Sequence, residues 1–249
     1  MNTTIETILN HRSIRKFKDQ PLTEEQIHTI VKAAQAASTS SFIQAYSIIG
    51  VTDQEKKEQL AKFAGGQSYV ANTGHFFVFC ADLYRHSLLG EFQDVDVLPS
   101  IESTEKFMVT IIDAALAAQN AALAAESMGL GICYIGGIRN SLEEVSEILE
   151  TPDYVVPLFG LTVGVPDQTS SAKPRLPVSA IYHENTYKHD VEWNKNQLEQ
   201  YDADISSYYE NRTNGARKDK WTEQMASMLE KKSRLYMKDF VEKKKLNRL

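Results

Sequence analysis

Near the start of the chain, His11-Arg12-Ser13-Ile14-Arg15 gathers two guanidiniums, an imidazole and a hydroxyl within five residues. Arg presents a planar fork of donors that matches phosphate oxygens, and Ser with nearby backbone amides adds neutral donors. The run has the composition of an anion cradle. Its place in the chain gives a second account. Thr3 and Glu6 predict a capping box for a first helix, Ile5, Ile8 and Leu9 its apolar side, and the basic residues would then offset the negative end of the helix dipole while facing water. A second basic segment, Lys173-Pro174-Arg175-Leu176-Pro177, lies far along the chain. Its prolines predict an extended loop in which Lys173 and Arg175, two apart, share a side. Alone, that loop also reads as a rigid turn with solvated charges.

Other chemistries lack their residues. The glycines of Gly129-Leu130-Gly131-Ile132-Cys133-Tyr134-Ile135-Gly136-Gly137 are wrongly spaced for the dinucleotide fingerprint and follow a helix, where the fingerprint follows a strand. No phosphate-loop lysine motif, HExxH, calcium loop or Gly-x-Ser-x-Gly elbow occurs. The six histidines have no metal spacing and are expected at the surface or as caps, so no metal site is expected. Cys80 and Cys133, far apart in apolar stretches, predict buried free thiols rather than a disulfide. A net charge of −6 argues against a general nucleic-acid or anionic-membrane binder. An anionic ligand must then be met locally. The N-terminus shows no basic and apolar leader pattern, and the expected location is cytoplasmic.

The positioning elements follow from periodicity. Thr23 and Gln26 form a capping box for a helix running through Ile27, Ile30, Val31 and Ala34 to about Ala37, where Ser38-Thr39-Ser40-Ser41 stops it. Residues 46–51 predict a strand, 53–64 a charged helix, and Phe76 to Ala81 a strand covered on both faces. Thr104 to Met128 is the longest helical pattern, apolar nearly all round from Ala114 to Ala125 and therefore expected in a core or at a subunit interface. Asp113, Gln119, Asn120 and Glu126 make it too polar to span a membrane. A short strand precedes Gly136, a helix capped at Ser141 ends before Pro152, and Val155 to Val165 is the last strand. From His183 the chain is charged and helical, around Trp193 to Tyr209 and Trp221 to Lys245, with 14 Lys and Arg against 12 Asp and Glu and a Lys243-Lys244-Lys245 run expected to be solvated. The expected organisation is a core over residues 1–182 and a helical C-terminal excursion over 183–249, in the α+β or α/β class.

Five motifs in order carry a resemblance: His11-Arg12-Ser13-x-Arg15-x-Phe17; Ala36-Ala37-Ser38-Thr39-Ser40-Ser41 with Gln44; Gly65-Gly66-Gln67-Ser68-Tyr69-Val70; Ile135-Gly136-Gly137-Ile138-Arg139-Asn140; and Lys173-Pro174-Arg175-Leu176-Pro177. Over almost the whole chain they resemble the nitroreductase superfamily, and more narrowly its NADPH-dependent nitro/flavin reductase subgroup. The resemblance implies an α+β homodimer with a central mixed or antiparallel sheet flanked by helices, and FMN held without a covalent bond at the dimer interface. It implies that His11, Ser13, Lys173 and Arg175 hold the FMN phosphate with Arg12 beside them, and that Arg15 and Gln67 face the pyrimidine edge. Ser38, Thr39, Ser40 and Gln44 would serve the ring and ribityl chain, partly from the neighbouring subunit, and Tyr69 and Ile135 join the cofactor-binding set. Backbone amides at Gly136 and Gly137 would approach flavin N5 and O4.

The resemblance further implies hydride transfer from NADPH to flavin N5 and then, by ping-pong turnover, to nitroaromatics, quinones or free flavin. Arg15 supports the reaction and no side chain is itself catalytic. Arg212 and Arg217 align with an Arg pair that contacts the NADPH 2′-phosphate. The competing expectation is a flavin-binding or storage protein without catalysis, for which that pair would have no use.

Overall fold

The computed structural model describes residues 1–249, which fall into two compact units: Met1–Ser170 with Arg234–Leu249, and Ser171–Ser233. In the first unit, strands β1 (Tyr46–Val51), β2 (His75–Asp82), β3 (Gly131–Ile135) and β4 (Val155–Gly164) pair antiparallel in the order β1-β2-β4-β3. β2 is buried at every position, as its unbroken apolar run predicts for a central strand. Its side chains alternate between the two faces. Phe77 and Phe79 join Ile30, Ala34, Ala117, Ala121 and Leu161 on one side, and Phe76, Val78 and Cys80 join Leu60, Ala64, Ile138 and Val145 on the other.

Helices α2 (Glu24–Gln35) and α4 (Thr104–Ser127) cover the first face, and α3 (Gln54–Phe63) and α5 (Leu142–Leu149) the second. The Thr23/Gln26 capping box forms as its spacing predicts. Helix α1 (Thr3–Leu9) differs: Asn2, not Thr3, is the cap, accepting from the Ile5 N–H at 3.0 Å. The helix also stops before the basic run. Helix α4 is buried along Ala114, Ala117, Ala118, Ala121, Ala122 and Ala125, while Met108, Ile111, Ile112 and Leu116 are exposed. Within the chain it is therefore apolar all round but covered on one side only.

The second unit holds α6 (Val191–Arg212) and α7 (Trp221–Glu230). Tyr201, Ile205 and Tyr209, spaced by four, form the inner stripe of α6, packed with Leu176 and Trp221. The helix expected from Trp221 to Lys245 breaks after Glu230, and α8 (Met237–Lys243) belongs to the first unit. Arg234–Leu249 belongs to the first unit because Phe240, Val241 and Leu246 bury themselves with Val109, Leu142 and Tyr154. Of the three lysines Lys243 is solvated as expected, while Lys244 and Lys245 are partly covered. Lys243 pairs with Glu143 at 2.8 Å, the Lys244 ammonium donates to the Thr151 carbonyl at 2.6 Å, and Lys245 pairs with Asp153 at 3.0 Å.

His75 overturns the expectation that every histidine is a surface or capping residue. It is 5% exposed, its Nε2 has no hydrogen-bond partner in the chain, and a Cβ on Gly50 would lie 2.8 Å from that atom. Burial, with Lys57 adding repulsion, pushes its pKa down to about 4. The unfolded chain then takes up the proton near the ordinary histidine value of about 6.5 while the fold resists it, so stability is full above that pH and declines as pH falls towards 4. The loss amounts to about 3 kcal/mol. Thermal midpoints measured across that window should fall more steeply for the wild type than for His75→Gln, and equal slopes would clear His75 of the effect.

Candidate functional site

After Leu9 the chain runs extended alongside β3 and β4. Ser13 bridges Ile132, the Ile14 N–H donates to the Ile132 carbonyl at 2.8 Å, and Phe17 bridges Pro166. The basic run is thus a short strand-like segment rather than the last turn of a helix. Ile14 is buried against Gly131, where a Cβ would lie 2.7 Å from its side chain, so glycine is required for this approach. Two-residue alternation puts Ser13 and Arg15 together on the opposite side. Both act on Cys133: burial raises its pKa, opposed by the Arg15 charge and a Ser13 hydrogen bond. Arg12 diverges. It donates to the Asn10 carbonyl at 3.0 Å and lines a cleft of about 380 Å³ with Ile14, Gly131 and Pro166. His11 Nδ1 lies 2.8 Å from Glu126 of α4.

Gln67 and Tyr69 join Arg15. The Gln67 amide donates to the Ala64 carbonyl at 2.8 Å and accepts from the Tyr69 hydroxyl at 2.5 Å, which fixes the amide's polarity. The Arg15 guanidinium acts on the same hydroxyl, partly offsetting the rise in the Tyr69 pKa caused first by burial and then by Cys133. No carboxylate forms an ion pair with Arg15. The result is an edge of hydrogen-bonding groups carrying an uncompensated cation.

Beyond Ile135, a 3₁₀ turn spans Gly136–Asn140. A Cβ on Gly137 would lie 2.3 Å from the Ala64 carbonyl and 2.6 Å from the Gln67 amide nitrogen. Its bareness is therefore required by the protein's own packing around Gln67, a reason different from the approach of a ligand. Gly136 faces Arg139, whose Nη1 donates to the Leu158 carbonyl at 2.5 Å.

The loop holding Ser38, Thr39, Ser40 and Gln44 depends on Asp113, which in sequence reads only as a polar interruption of a helix. Its two carboxylate oxygens accept from the backbone N–H of Ser40 and of Ala45, each at 3.0 Å. From the other end Arg85 donates to the Gln44 and Tyr46 carbonyls, at 3.3 and 2.9 Å. Between these anchors Ser41, Phe42 and Gln44 have φ of 49°, 59° and 55°, in the left-handed region. Ser38, Ser40 and Gln44 are exposed.

In the second unit α6 organises the Lys173 loop. The Tyr201 hydroxyl donates to the Pro174 carbonyl at 2.9 Å, and Lys173 donates to the Tyr209 hydroxyl at 3.0 Å, the main cause of a lowered Tyr209 pKa. Arg175 is exposed. Arg212 donates to the Tyr208 hydroxyl at 3.0 Å, and Arg217 lies 4.4 Å from the centre of the Tyr209 ring. The segment between the arginines is tied down: the Arg217 N–H donates to Thr213 Oγ1 at 2.9 Å and the Gly215 N–H to the Glu210 carbonyl at 2.8 Å.

Residues 8–165 match the nitroreductase family, and residues 173–248 match the C-terminal domain of the nitroreductase family. The chain is 59% identical over 248 residues to FMN reductase (NADPH) of Bacillus subtilis (strain 168), spanning 100% of both chains. The structure of B. megaterium NfrA1 is similar with a TM-score of 0.98 and 62% identity, covering 99% of this chain and 100% of that one. NADPH:FMN oxidoreductase from Vibrio harveyi, complexed with NAD+, is similar with a TM-score of 0.88 and 41% identity over 100% of both chains. With two family matches along nearly its whole length and relatives of this identity, the chain belongs to the nitroreductase family.

Proposed function

We infer that this protein is an FMN-dependent NADPH oxidoreductase that passes hydride from NADPH to nitroaromatics, quinones or free flavin. The observation that carries the reading is the edge made by Arg15, Gln67 and Tyr69, in which no carboxylate cancels the guanidinium. That donor set fits the carbonyl and imide side of an isoalloxazine ring. When bound, FMN supplies the two-electron chemistry. Arg15 offsets the negative charge that hydride uptake brings to the pyrimidine side. Gln67, its amide fixed by Ala64 and Tyr69, offers its second N–H for orientation. Gly136 and Gly137 present backbone amides beside that edge.

Ser13 and His11 serve the cofactor phosphate in the first unit; in the second, Lys173 and Arg175 form a cationic loop of the kind that takes a phosphate. Ser38, Thr39, Ser40 and Gln44 take the ribityl and ring contacts, with part of that share given to a neighbouring subunit. The protein acts as a homodimer. Met108, Ile111, Ile112 and Leu116 form an apolar stripe at helical spacing along α4, the kind of surface a second copy covers. Two buried, unpaired thiols fit a reducing, cytoplasmic compartment.

Anaerobic mixing of the FMN-loaded protein with NADPH tests the activity. The visible flavin band should bleach and return on addition of a quinone. Lasting oxidation at saturating NADPH would leave a flavin-binding protein without catalysis. For the reductant, Arg212→Ala combined with Arg217→Ala should raise the KM for NADPH by about tenfold or more, at about 1.4 kcal/mol per decade, and that for NADH far less. Equal rises would remove the 2′-phosphate role.

A further inference from the structure

Arg212 and Arg217, given one role above, stand in different electrostatic settings within Ser171–Ser233. Arg212 meets a neutral acceptor, the Tyr208 hydroxyl, and takes part in no ion pair. Arg217 is already answered by a carboxylate. Its Nε donates to Asp219 Oδ2 at 2.8 Å, and its Nη2 closes on the same oxygen. Asp219 is itself fixed, because Gln224 Nε2 donates to that oxygen at 3.0 Å. The guanidinium lies over the Tyr209 ring, and Thr213 holds the backbone of Arg217. An open cleft of about 640 Å³ begins here, lined by Arg217, Asp219, Lys220, Glu223 and Lys231.

The Nε and Nη2 donors form the edge of the guanidinium that a phosphate takes in a two-pronged contact. Two oxyanions cannot occupy that edge together, and the one that stays behind repels the other. We propose that Asp219 is a specificity-determining residue for the dinucleotide: a resident carboxylate that keeps Arg217 aligned over Tyr209 and must be displaced by the 2′-phosphate. The proposal rests on the reading of Arg217 as a 2′-phosphate ligand. Alignment reduces the side-chain freedom lost on binding, while the competing charge holds affinity down. Both partners are partly exposed, and exposed pairs are weak, so the restraint tunes NADPH affinity without blocking it. A dinucleotide without the 2′-phosphate never contends with Asp219.

Asp219→Asn keeps an acceptor for Arg217 and removes the charge. Calorimetric titration of the FMN-loaded wild type and variant with 2′,5′-ADP and with 5′-AMP, which lacks only the 2′-phosphate, reads the effect of that group directly, without turnover. The affinity ratio of 2′,5′-ADP to 5′-AMP should rise about two- to fivefold in the variant, with the KM for NADPH falling relative to that for NADH by a similar factor. An unchanged or lower ratio in the variant, beside a wild type that does prefer 2′,5′-ADP, overturns the role of Asp219 and leaves that of Arg217 standing. A wild type that binds the two probes equally overturns both.

Discussion

Replacing Arg15 with alanine should slow anaerobic reduction of the bound flavin by NADPH about 100-fold, a loss of roughly 2.7 kcal/mol of transition-state stabilisation, while FMN retention falls far less. The asymmetry follows from where the charge sits. In the proposed arrangement phosphate and ribityl contacts fall to other residues, so ground-state binding survives the substitution. The negative charge brought by hydride exists only as the reaction proceeds, and a guanidinium with no carboxylate partner is the group available to meet it. Arg15→Lys should recover part of the rate, because an ammonium supplies charge without the planar fork that also reaches Tyr69. Stopped-flow reduction at saturating NADPH separates rate from binding. Wild-type kinetics in Arg15→Ala, with only FMN affinity lost, would move this side chain from the pyrimidine edge to a purely retentive role.

The same residue marks how far the sequence could be read. Residue types alone single out Ser13 and Arg15, and local signals place the helices well: the Thr23/Gln26 box opens α2, and α4 ends at Ser127, within one residue of its expected stop. What holds Ser13 and Arg15 is not local. An extended pairing with Ile132, remote in sequence, pulls the run away from the helix to which its basic character seemed to belong. The pairing separates Arg12 from its neighbours and needs glycine at position 131. The C-terminus was hidden in the same way. A charged, lysine-rich end reads as solvated, and Lys243 is, but Phe240, Val241 and Leu246 lie in the core and the Lys244 ammonium is drawn onto the Thr151 carbonyl. Gly137 carries a constraint hidden from the sequence, since the proximity of Gln67 and Ala64 is visible only in three dimensions.

Asp113 carries the largest expected effect on stability. It is fully buried midway along α4, and its two oxygens satisfy two backbone donors that bracket the loop from Ser40 to Ala45. Ala45 is itself fully buried, so its N–H has no access to water in compensation. Removing the acceptor leaves one donor orphaned in the interior and another partly so, at about 1 to 3 kcal/mol each, and Asp113→Ala should cost about 3 kcal/mol in all. For a chain of this size that lowers the thermal midpoint by about 6 to 12 °C. Three residues between the anchors occupy left-handed backbone that ordinary side chains avoid, so the loop has a conformational reason to leave once released. Asp113→Asn keeps one acceptor but turns an amide NH₂ towards the second donor, and should recover no more than half of the loss. Cofactor loss could lower the midpoint by itself through linkage, so the measurement belongs on FMN-stripped wild type and variant compared with each other. A midpoint unchanged in the stripped proteins would show that the loop holds without Asp113. A drop there, with a further loss of FMN affinity in the loaded protein, makes this carboxylate the support on which Ser38, Thr39, Ser40 and Gln44 depend.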